Sequence, residues 1–240
     1  MIVGIVAEGP TDVVILEEFL SERFKSGGVS DPLEIRPLQP AVDATSGTFE
    51  DGGWTWVKTW CRNNPPEHRA ADLFQPLFEG DRPLDILIVQ VDGDVVDEYA
   101  KPYPHIQVPM NPDAPARGRI VEAVLVEWLW GGSQGRGHDP DASKHCLVAT
   151  VRASETWIVA GMDRSIPNPE ELDPEVELTR IAPPGLRIRT RRGRRRLVKK
   201  PDFWRKLVRQ ARQQLPHIVS VCPHCEKFLQ CVEAIAESHR

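Results

Sequence analysis

Two stretches of the chain decide its fold: Ile2-Val3-Gly4-Ile5-Val6-Ala7-Glu8-Gly9-Pro10-Thr11-Asp12, and Ile86-Leu87-Ile88-Val89-Gln90-Val91-Asp92-Gly93-Asp94. Each is a short run rich in Val and Ile that ends in acidic residues. Such runs are typical of the buried strands of a parallel sheet. Open parallel sheets bind ligands at the carboxyl ends of their strands. We therefore expect the acidic residues of both stretches at one edge of an α/β sheet.

The acidic residues at these strand ends predict a metal site. Glu8 and Asp12 follow the first run, and Asp92 and Asp94 follow the second. Carboxylates placed together repel one another unless a cation lies between them. Mg²⁺ prefers oxygen ligands of this kind, so the pattern predicts Mg²⁺, or Mn²⁺ in its place. Gly93 has no side chain, which lets the backbone turn so that Asp92 and Asp94 both approach one site.

The Glu-Gly-x-x-Asp turn after the first strand, with Asp-x-Asp after a later strand, resembles the Toprim domain. The string Val6-Ala7-Glu8-Gly9-Pro10-Thr11-Asp12 is most similar to the OLD-like nuclease branch. Within that branch the chain resembles the small stand-alone Toprim proteins of domain-of-unknown-function family 4276. A third matching segment, Ala153-Ser154-Glu155-Thr156-Trp157, follows the apolar run Cys146 to Val151. The resemblance implies a Toprim-like, mostly parallel α/β Rossmannoid sheet flanked by helices, with Glu155 as a further metal ligand.

The resemblance also implies a function: a Mg²⁺-dependent Toprim endonuclease that hydrolyses phosphodiester bonds of DNA or RNA. The relatives often accompany ATPases in anti-phage defence, which implies an ATPase partner protein; this sequence has no Walker glycine loop of its own. The expected catalytic residues are Glu8, Asp92 and Asp94, with Glu8 as a shared ligand or general acid/base. The expected metal ligands are Glu8, Asp12, Asp92, Asp94 and Glu155.

Other interpretations stay open at this point. Asp12 and Glu155 also fit simple acids near a helix start, and Asp92-Gly93-Asp94 also fits a plain turn. Another enzyme class would be a Mg²⁺-dependent phosphotransferase or phosphatase on a receiver-like or haloacid-dehalogenase-like sheet, although those folds place an aspartate where this chain has Glu8. A third class is a catalytically silent subunit that uses the fold for assembly and nucleic-acid binding.

The spacing of the motifs predicts the domain organisation. Asp92 lies 84 positions after Glu8, which predicts a helical insertion over about 38–83. A Toprim-like catalytic domain is expected over 1–165. A Pro- and Glu-rich connection then leads to a C-terminal region, 166–240, with a basic arm and two closing helices.

The net charge of −5 conceals a basic segment, Arg187 to Lys200, with nine basic residues and no acid. The rest of the chain then holds 21 basic against 35 acidic residues. This segregation predicts an acidic pocket and a separate arm for a polyanion. The segment also fits a disordered, merely solubilising stretch, and its Arg-x-Arg alternation around Thr190 and Gly193 fits a charged hairpin. The predicted nucleic-acid-binding residues are Arg187, Arg189, Arg191, Arg192, Arg194, Arg195, Arg196, Lys199 and Lys200.

Composition sets the remaining expectations. The N-terminus lacks the pattern of a signal peptide, and no apolar run approaches the ~20 residues of a membrane span. Five cysteines are an odd count, which favours reduced thiols in the cytoplasm. Cys222, Cys225 and Cys231 are only a weak zinc pattern, because a second matching pair is missing. Homo-oligomerisation stays open.

Apolar periodicity predicts the helices. A first helix is expected over 11–25, with Glu17, Glu18 and Glu22 facing solvent. Another is expected over 117–130, followed by a loop from Gly131 to Gly137. Two more close the chain, over 202–215 and 223–238, and Leu33 to Leu38 is expected to form an edge strand.

Overall fold

The two apolar runs form adjacent parallel strands at the centre of a four-stranded sheet. In this computed structural model the strands are β1 (Ile2–Val6), β2 (Glu34–Gln39), β3 (Ile86–Asp92) and β4 (His145–Thr150). Their spatial order is β2-β1-β3-β4, and every pairing is parallel. The structure describes residues 1–26, 33–41, 52–75, 82–181, 187–189, 195–197 and 201–238. The predicted fold class, an α/β parallel sheet flanked by helices, is confirmed.

Helices fill the connections between strands. They are α1 (Pro10–Ser26), α2 (Trp54–Asn63), α3 (Pro66–Arg69), α4 (Val96–Ala100), α5 (Ala114–Trp130), α6 (Ser133–His138), α7 (Glu155–Met162), α8 (Pro174–Ile181), α9 (Pro201–Ala211), α10 (Leu215–Val221) and α11 (Pro223–Ser238). Single turns of other helix types occupy Ala70–Phe74, Ala142–Lys144, Pro169–Glu171 and Arg212–Gln214. Among the residues that the structure describes, none of the helices combines the length and apolar character that crossing a bilayer requires.

The strand order places a topological switch point between β1 and β3. The chain leaves β1 through α1 to reach β2 on one side, and β3 then pairs on the other side of β1. In an open parallel sheet, the crevice beyond the carboxyl ends of such strands is where ligands bind. The Glu8 and Asp92 loops lie at this crevice.

Side chains alternate between two apolar cores, one on each face of the sheet. Val3 and Ile5 pack with α1, α7 and the C-terminal helices, while Ile2 and Val6 pack with α2, α4 and α5. This alternation follows from the two-residue period of a strand. Because both faces are covered, the central strands read as continuous apolar runs.

Capping residues set the ends of α5, which spans one face of the sheet. Asp113 accepts a hydrogen bond from the Ala116 amide at 2.8 Å, and Gly131 ends the helix in the left-handed conformation with φ of 66°. Both are common helix boundaries. The segment after Gly131 was expected as a loop, but Ser133–His138 forms α6.

Arg69 ends α3, which lies in the segment predicted as a helical insertion, and a buried ion pair ties it to the segment that follows α6. The Arg69 guanidinium donates from Nη2 to Asp139 Oδ2 at 3.0 Å, and Trp130 Nε1 donates to the same oxygen at 2.7 Å. Both charged side chains are 1% exposed. A buried pair is costly to break, because removal of one partner leaves the other charge uncompensated. The pair therefore fixes the insertion against α5.

The C-terminal helices pack on the same core as β1 and α1. Trp204, Leu207 and Val208 of α9 are buried in the apolar cluster that contains Val3 and Ile5. The domain boundary predicted near residue 165 stays a prediction. The packing shows that α9 contacts the same apolar cluster as β1 and α1. The short antiparallel pair β5 (Arg187–Arg189) and β6 (Arg195–Leu197) precedes α9.

Glu18 is buried, which corrects the expectation that it faces solvent. Its carboxylate accepts hydrogen bonds from Arg205 (3.1 Å), Arg209 (2.8 Å) and Arg212 (2.6 Å). The periodicity of α1 alone could not reveal these partners, because they lie 187 or more residues away. The cluster joins α1 to α9 and to the turn that follows it.

We predict that Glu18→Ala lowers the free energy of unfolding by about 2–4 kcal/mol, since it leaves three arginines without their shared partner. The matched control is Glu17→Ala, which removes an ion pair at 30% exposure and should cost under ~1 kcal/mol. Urea unfolding of both variants measures the difference. Equal losses would contradict the role assigned to Glu18.

Candidate metal centre at the carboxyl edge of the sheet

Three carboxylates converge beyond the carboxyl ends of β1, β3 and β4. One carboxylate oxygen each from Asp12, Asp92 and Glu155 lies within 4.8 Å of the other two. Asp12 is in the first turn of α1, Asp92 is the last residue of β3, and Glu155 begins α7. Each residue therefore follows a different parallel strand, as the strand-end argument predicts.

Asp92 is oriented by polar side chains from β3 and β4. Its Oδ1 accepts hydrogen bonds from Thr150 Oγ1 at 2.7 Å and from Gln90 Nε2 at 2.8 Å. Thr150 lies directly opposite Asp92 in the β3–β4 register. Both donors bond the same oxygen, so they hold the carboxylate in one rotamer.

Asp12 is held by a contact across the site. Ser154 Oγ donates to Asp12 Oδ1 at 2.5 Å, and the Asp12 residue is 5% exposed. Ser154 directly precedes α7 and therefore Glu155. The bond joins the loop after β1 to the loop after β4 and fixes the spacing of two carboxylates.

Glu8 lies beside the three converging carboxylates and faces the backbone of Asp92. Its Oε1 accepts a hydrogen bond from the Asp92 amide at 2.7 Å. The Tyr99 hydroxyl lies 3.2 Å from the same Oε1 and donates to the Asp92 carbonyl oxygen at 2.6 Å. Burial and the negative charge of Asp12 raise the pKa of Glu8 to about 8. Glu8 can therefore exchange a proton near neutral pH.

The neighbouring acids also affect the pKa of Asp92. Burial raises its pKa well above the ordinary value, and the charges of Asp12, Glu8 and Glu155 raise it further. Hydrogen bonding by Thr150 opposes this rise. Without a cation, these acids cannot all ionise at low cost.

Asp94 is outside the three-residue group. It is exposed in the turn after β3, although its charge contributes to the raised pKa of Glu8. Desolvation raises the pKa of Asp94, and the positive charge of Arg117 opposes the rise. Arg117 is fixed nearby by a hydrogen bond from its Nη1 to the Gly93 carbonyl at 2.6 Å.

Two glycines allow close backbone packing around the site. A Cβ at Gly93 would lie 2.3 Å from the Val151 carbonyl oxygen, and one at Gly52 would lie 2.1 Å from the Glu8 carbonyl oxygen. Real Cβ atoms do not approach backbone oxygen so closely. Gly93 thus lets the β3 and β4 loops meet, and Gly52 lets the start of α2 cover the Glu8 loop.

The structure brings together three of the five predicted ligands, places Glu8 next to them, and leaves Asp94 at the rim. Sequence reasoning missed the residues that orient them: Gln90, Tyr99, Arg117, Thr150 and Ser154. The one available signal was a polar residue, Gln90, inside an otherwise apolar strand. The other residues had no local pattern that predicts a site.

The predicted nucleic-acid-binding residues are only partly described. The backbone pairing of β5 and β6 places Arg187 opposite Leu197 and Arg189 opposite Arg195, with Arg196 opposite Ile188. Arg191, Arg192, Arg194, Lys199 and Lys200 lie outside the described residues. The described parts of the segment therefore pair as two antiparallel strands, and nucleic-acid binding stays a prediction.

The cysteines do not form a candidate zinc site. Within the described ranges, Asp12, Asp92 and Glu155 are the one group whose potential ligand atoms lie close enough together to hold a metal ion. Cys222 and Cys225 are buried in the apolar core. Cys231 contacts Cys146 instead.

No protein-family model matches this chain, and no curated protein or solved structure is significantly similar to it. The Toprim resemblance therefore rests on the short motifs around Glu8, Asp92 and Glu155.

The raised pKa of Glu8 predicts a pH-dependent stability in metal-free buffer. The folded protein keeps a proton on Glu8 up to about pH 8, whereas the unfolded chain releases it near 4.5. Stability should therefore fall as pH rises through this window. We expect a loss of ~1–3 kcal/mol, since one pKa unit corresponds to ~1.4 kcal/mol and solvent access reduces the full effect.

Glu8→Gln keeps an oxygen acceptor for the Asp92 amide but cannot ionise, so its stability should fall less over the same pH range. The control Glu237→Gln changes an exposed acid at the end of α11 and should leave the pH profile unchanged. Denaturant midpoints at several pH values, with a chelator present, measure the profiles. A Glu8→Gln profile as steep as that of the wild type would contradict the protonation assigned to Glu8.

Proposed function

We propose that this protein is a metal-dependent nuclease that cleaves phosphodiester bonds of DNA or RNA. The observation that carries the proposal is the convergence of Asp12, Asp92 and Glu155, from three strand ends, within 4.8 Å of one another. A site for hydrolysis or transfer of phosphate esters commonly needs clustered acids to hold its metal. The same position at a sheet switch point is the general ligand site of open α/β folds.

The donor set fits a hard divalent cation. It consists of carboxylate oxygens, which Mg²⁺ and Mn²⁺ prefer over the nitrogen and sulfur ligands that zinc sites use. Burial and the negative charges of Asp12, Glu8 and Glu155 raise the pKa of Asp92, so a cation at this point would favour its ionised form. Asp12, Asp92 and Glu155 would hold the ion. When bound, it would activate water and offset negative charge on the scissile phosphate.

Other residues of the chain would orient the metal ligands and transfer protons. Thr150 and Gln90 fix Asp92, and Ser154 fixes Asp12, so the ligands are preorganised. Preorganisation removes the cost of arranging the ligands during the reaction. Glu8, with a pKa of about 8, has the proton affinity of a general acid/base at neutral pH.

Positive charge beside the acidic group supports a phosphate substrate. Arg117 is anchored at the Gly93 carbonyl, and the like charge of Arg152 nearby lowers its pKa, second to burial. These two arginines lie beside the carboxylates and repel each other, so a polyanion that contacts both would be favoured. The guanidinium group donates paired hydrogen bonds whose geometry matches the oxygens of a phosphate. The basic segment from Arg187 to Lys200 would bind the nucleic acid further along its length.

The biological setting follows from the resemblance alone. We propose that the protein is a cytoplasmic effector of an anti-phage defence system with an ATPase partner. The motifs Glu8-Gly9-Pro10-Thr11-Asp12 and Asp92-Gly93-Asp94 support this assignment. The sequence carries no phosphate-binding glycine loop for ATP, which fits a separate ATPase.

We predict that the purified chain nicks supercoiled plasmid in the presence of Mg²⁺ or Mn²⁺. Asp92→Asn and Glu155→Gln should each lower the nicking rate by about 100-fold or more, because each removes a charged ligand. Asp97→Asn is the matched control, since it neutralises an exposed acid on α4 and should cut at the wild-type rate.

Circular dichroism of each variant would separate loss of activity from loss of folding. Equal rates for all variants would contradict the proposal, because the cleavage would then come from a different site or a contaminant. An inert wild-type chain that still binds DNA and Mg²⁺ would favour a partner-gated enzyme or a silent subunit. Adding the ATPase would distinguish these two.

A further inference from the structure

Cys231 and Cys146 form a thiol pair between helix α11 and strand β4. The two thiols lie close enough to interact with each other. Cys146 is buried in β4 and also lies 3.9 Å from the Phe228 carbonyl oxygen, which it can donate to. Cys231 is six residues beyond Cys225 on α11, a separation that places the two on different sides of the helix. Cys231 therefore pairs with Cys146 of β4 and not with Cys222 or Cys225.

Cys231 is reachable from solvent through a cavity of about 410 Å³. The cavity is lined by the basic residues Arg119, Arg136 and Lys227 and by the acid Glu122, with His145 behind them. Glu122 and Lys227 are joined by an ion pair. His145 is 4% exposed, and its Nε2 has no hydrogen-bond partner among the described residues. The cavity therefore combines an apolar part, lined by Ala123, Val126 and Leu147, with an excess of positive charge.

We propose that Cys231 and Cys146 are a site of reversible oxidation, at which a small hydroperoxide converts the pair into a disulfide. The proposal stands on the contact between the two thiols and on the basic cavity that exposes only Cys231.

The charges around the pair assign different roles to the two sulfurs. The interaction with the Cys146 thiol, together with the positive charges of Lys227 and Arg136, holds the pKa of Cys231 below the ordinary thiol value. Burial raises the pKa of Cys146. The thiolate is the reactive form of cysteine, so Cys231 is the attacking sulfur and Cys146 is the resolving one.

The oxidation balances with hydrogen peroxide as the two-electron oxidant. The Cys231 thiolate attacks one peroxide oxygen, the O–O bond breaks, and a sulfenic acid forms while the released hydroxide takes a proton to become water. The Cys146 sulfur then attacks the sulfenic sulfur. A disulfide forms, and the sulfenic hydroxyl leaves with the Cys146 proton as a second water.

The other cysteines provide an internal comparison. Cys222 and Cys225 are fully buried, and burial raises the pKa of both thiols. Cys61 is likewise buried, which raises its pKa to about 12. We therefore expect the thiols of Cys222 and Cys225 to resist oxidation, although the Cys-x-x-Cys spacing resembles that of reactive pairs.

The test is peptide mapping of the wild-type chain after treatment with hydrogen peroxide and alkylation of the remaining thiols. We expect one disulfide-linked peptide pair, joining Cys146 to Cys231, that dithiothreitol reverses, with Cys222 and Cys225 still alkylated. Before oxidation, iodoacetamide should label Cys231 at least about tenfold faster than Cys222 under native conditions.

Two variants test the assigned roles. Cys231→Ser should abolish the linkage, and Cys146→Ala should leave a sulfenic acid at Cys231 that dimedone traps. The proposal is overturned if peroxide links Cys222 to Cys225 instead, or if Cys231 in the wild type passes to sulfinic acid without bonding Cys146. Because the mapping uses the wild-type chain, poor folding of a variant would not obscure the answer.

Discussion

Repulsion among buried carboxylates is the constraint on which the rest of this structure depends. Asp12, Asp92 and Glu155 meet within 4.8 Å, and Glu8 adds a fourth carboxyl group beside them. Burial raises the cost of each charge, as the raised pKa values of Glu8 and Asp92 show. Selection for stability alone would not keep these carboxylates together, because their repulsion destabilises the folded state. The arrangement becomes favourable once a cation is bound.

The rest of the molecule holds this unfavourable group in place. Apolar packing on both faces of the sheet fixes the strand ends, and the Glu18–arginine cluster and the Arg69–Asp139 pair fix helices on either face. Hydrogen bonds from Ser154 and Thr150 then set the rotamers of Asp12 and Asp92. The stable core thus offsets the electrostatic cost of the site.

Sequence reasoning could predict the sheet and the strand-end acids because both depend on local patterns. The apolar runs that became β1 and β3 are short and rich in Val and Ile, and the acids directly follow them. Asp12 was predicted as an acid that follows the first run, and Glu155 was predicted from the Toprim resemblance. Tyr99, Thr150 and Ser154 could not be predicted, because they reach the site through strand register and loop contacts between separate segments, whereas Gln90 stands out as a polar residue within an apolar strand. Glu18 was misplaced for the same reason, since its arginine partners come from the far end of the chain.

The most direct test of the central claim is a crystal soaked in Mn²⁺ and measured at a wavelength where manganese scatters anomalously. The account predicts an anomalous peak bounded by the carboxylates of Asp12, Asp92 and Glu155, and no such peak in crystals of Asp92→Asn. A wild-type crystal with no peak there, or with a basic side chain neutralising the three acids, would contradict the account.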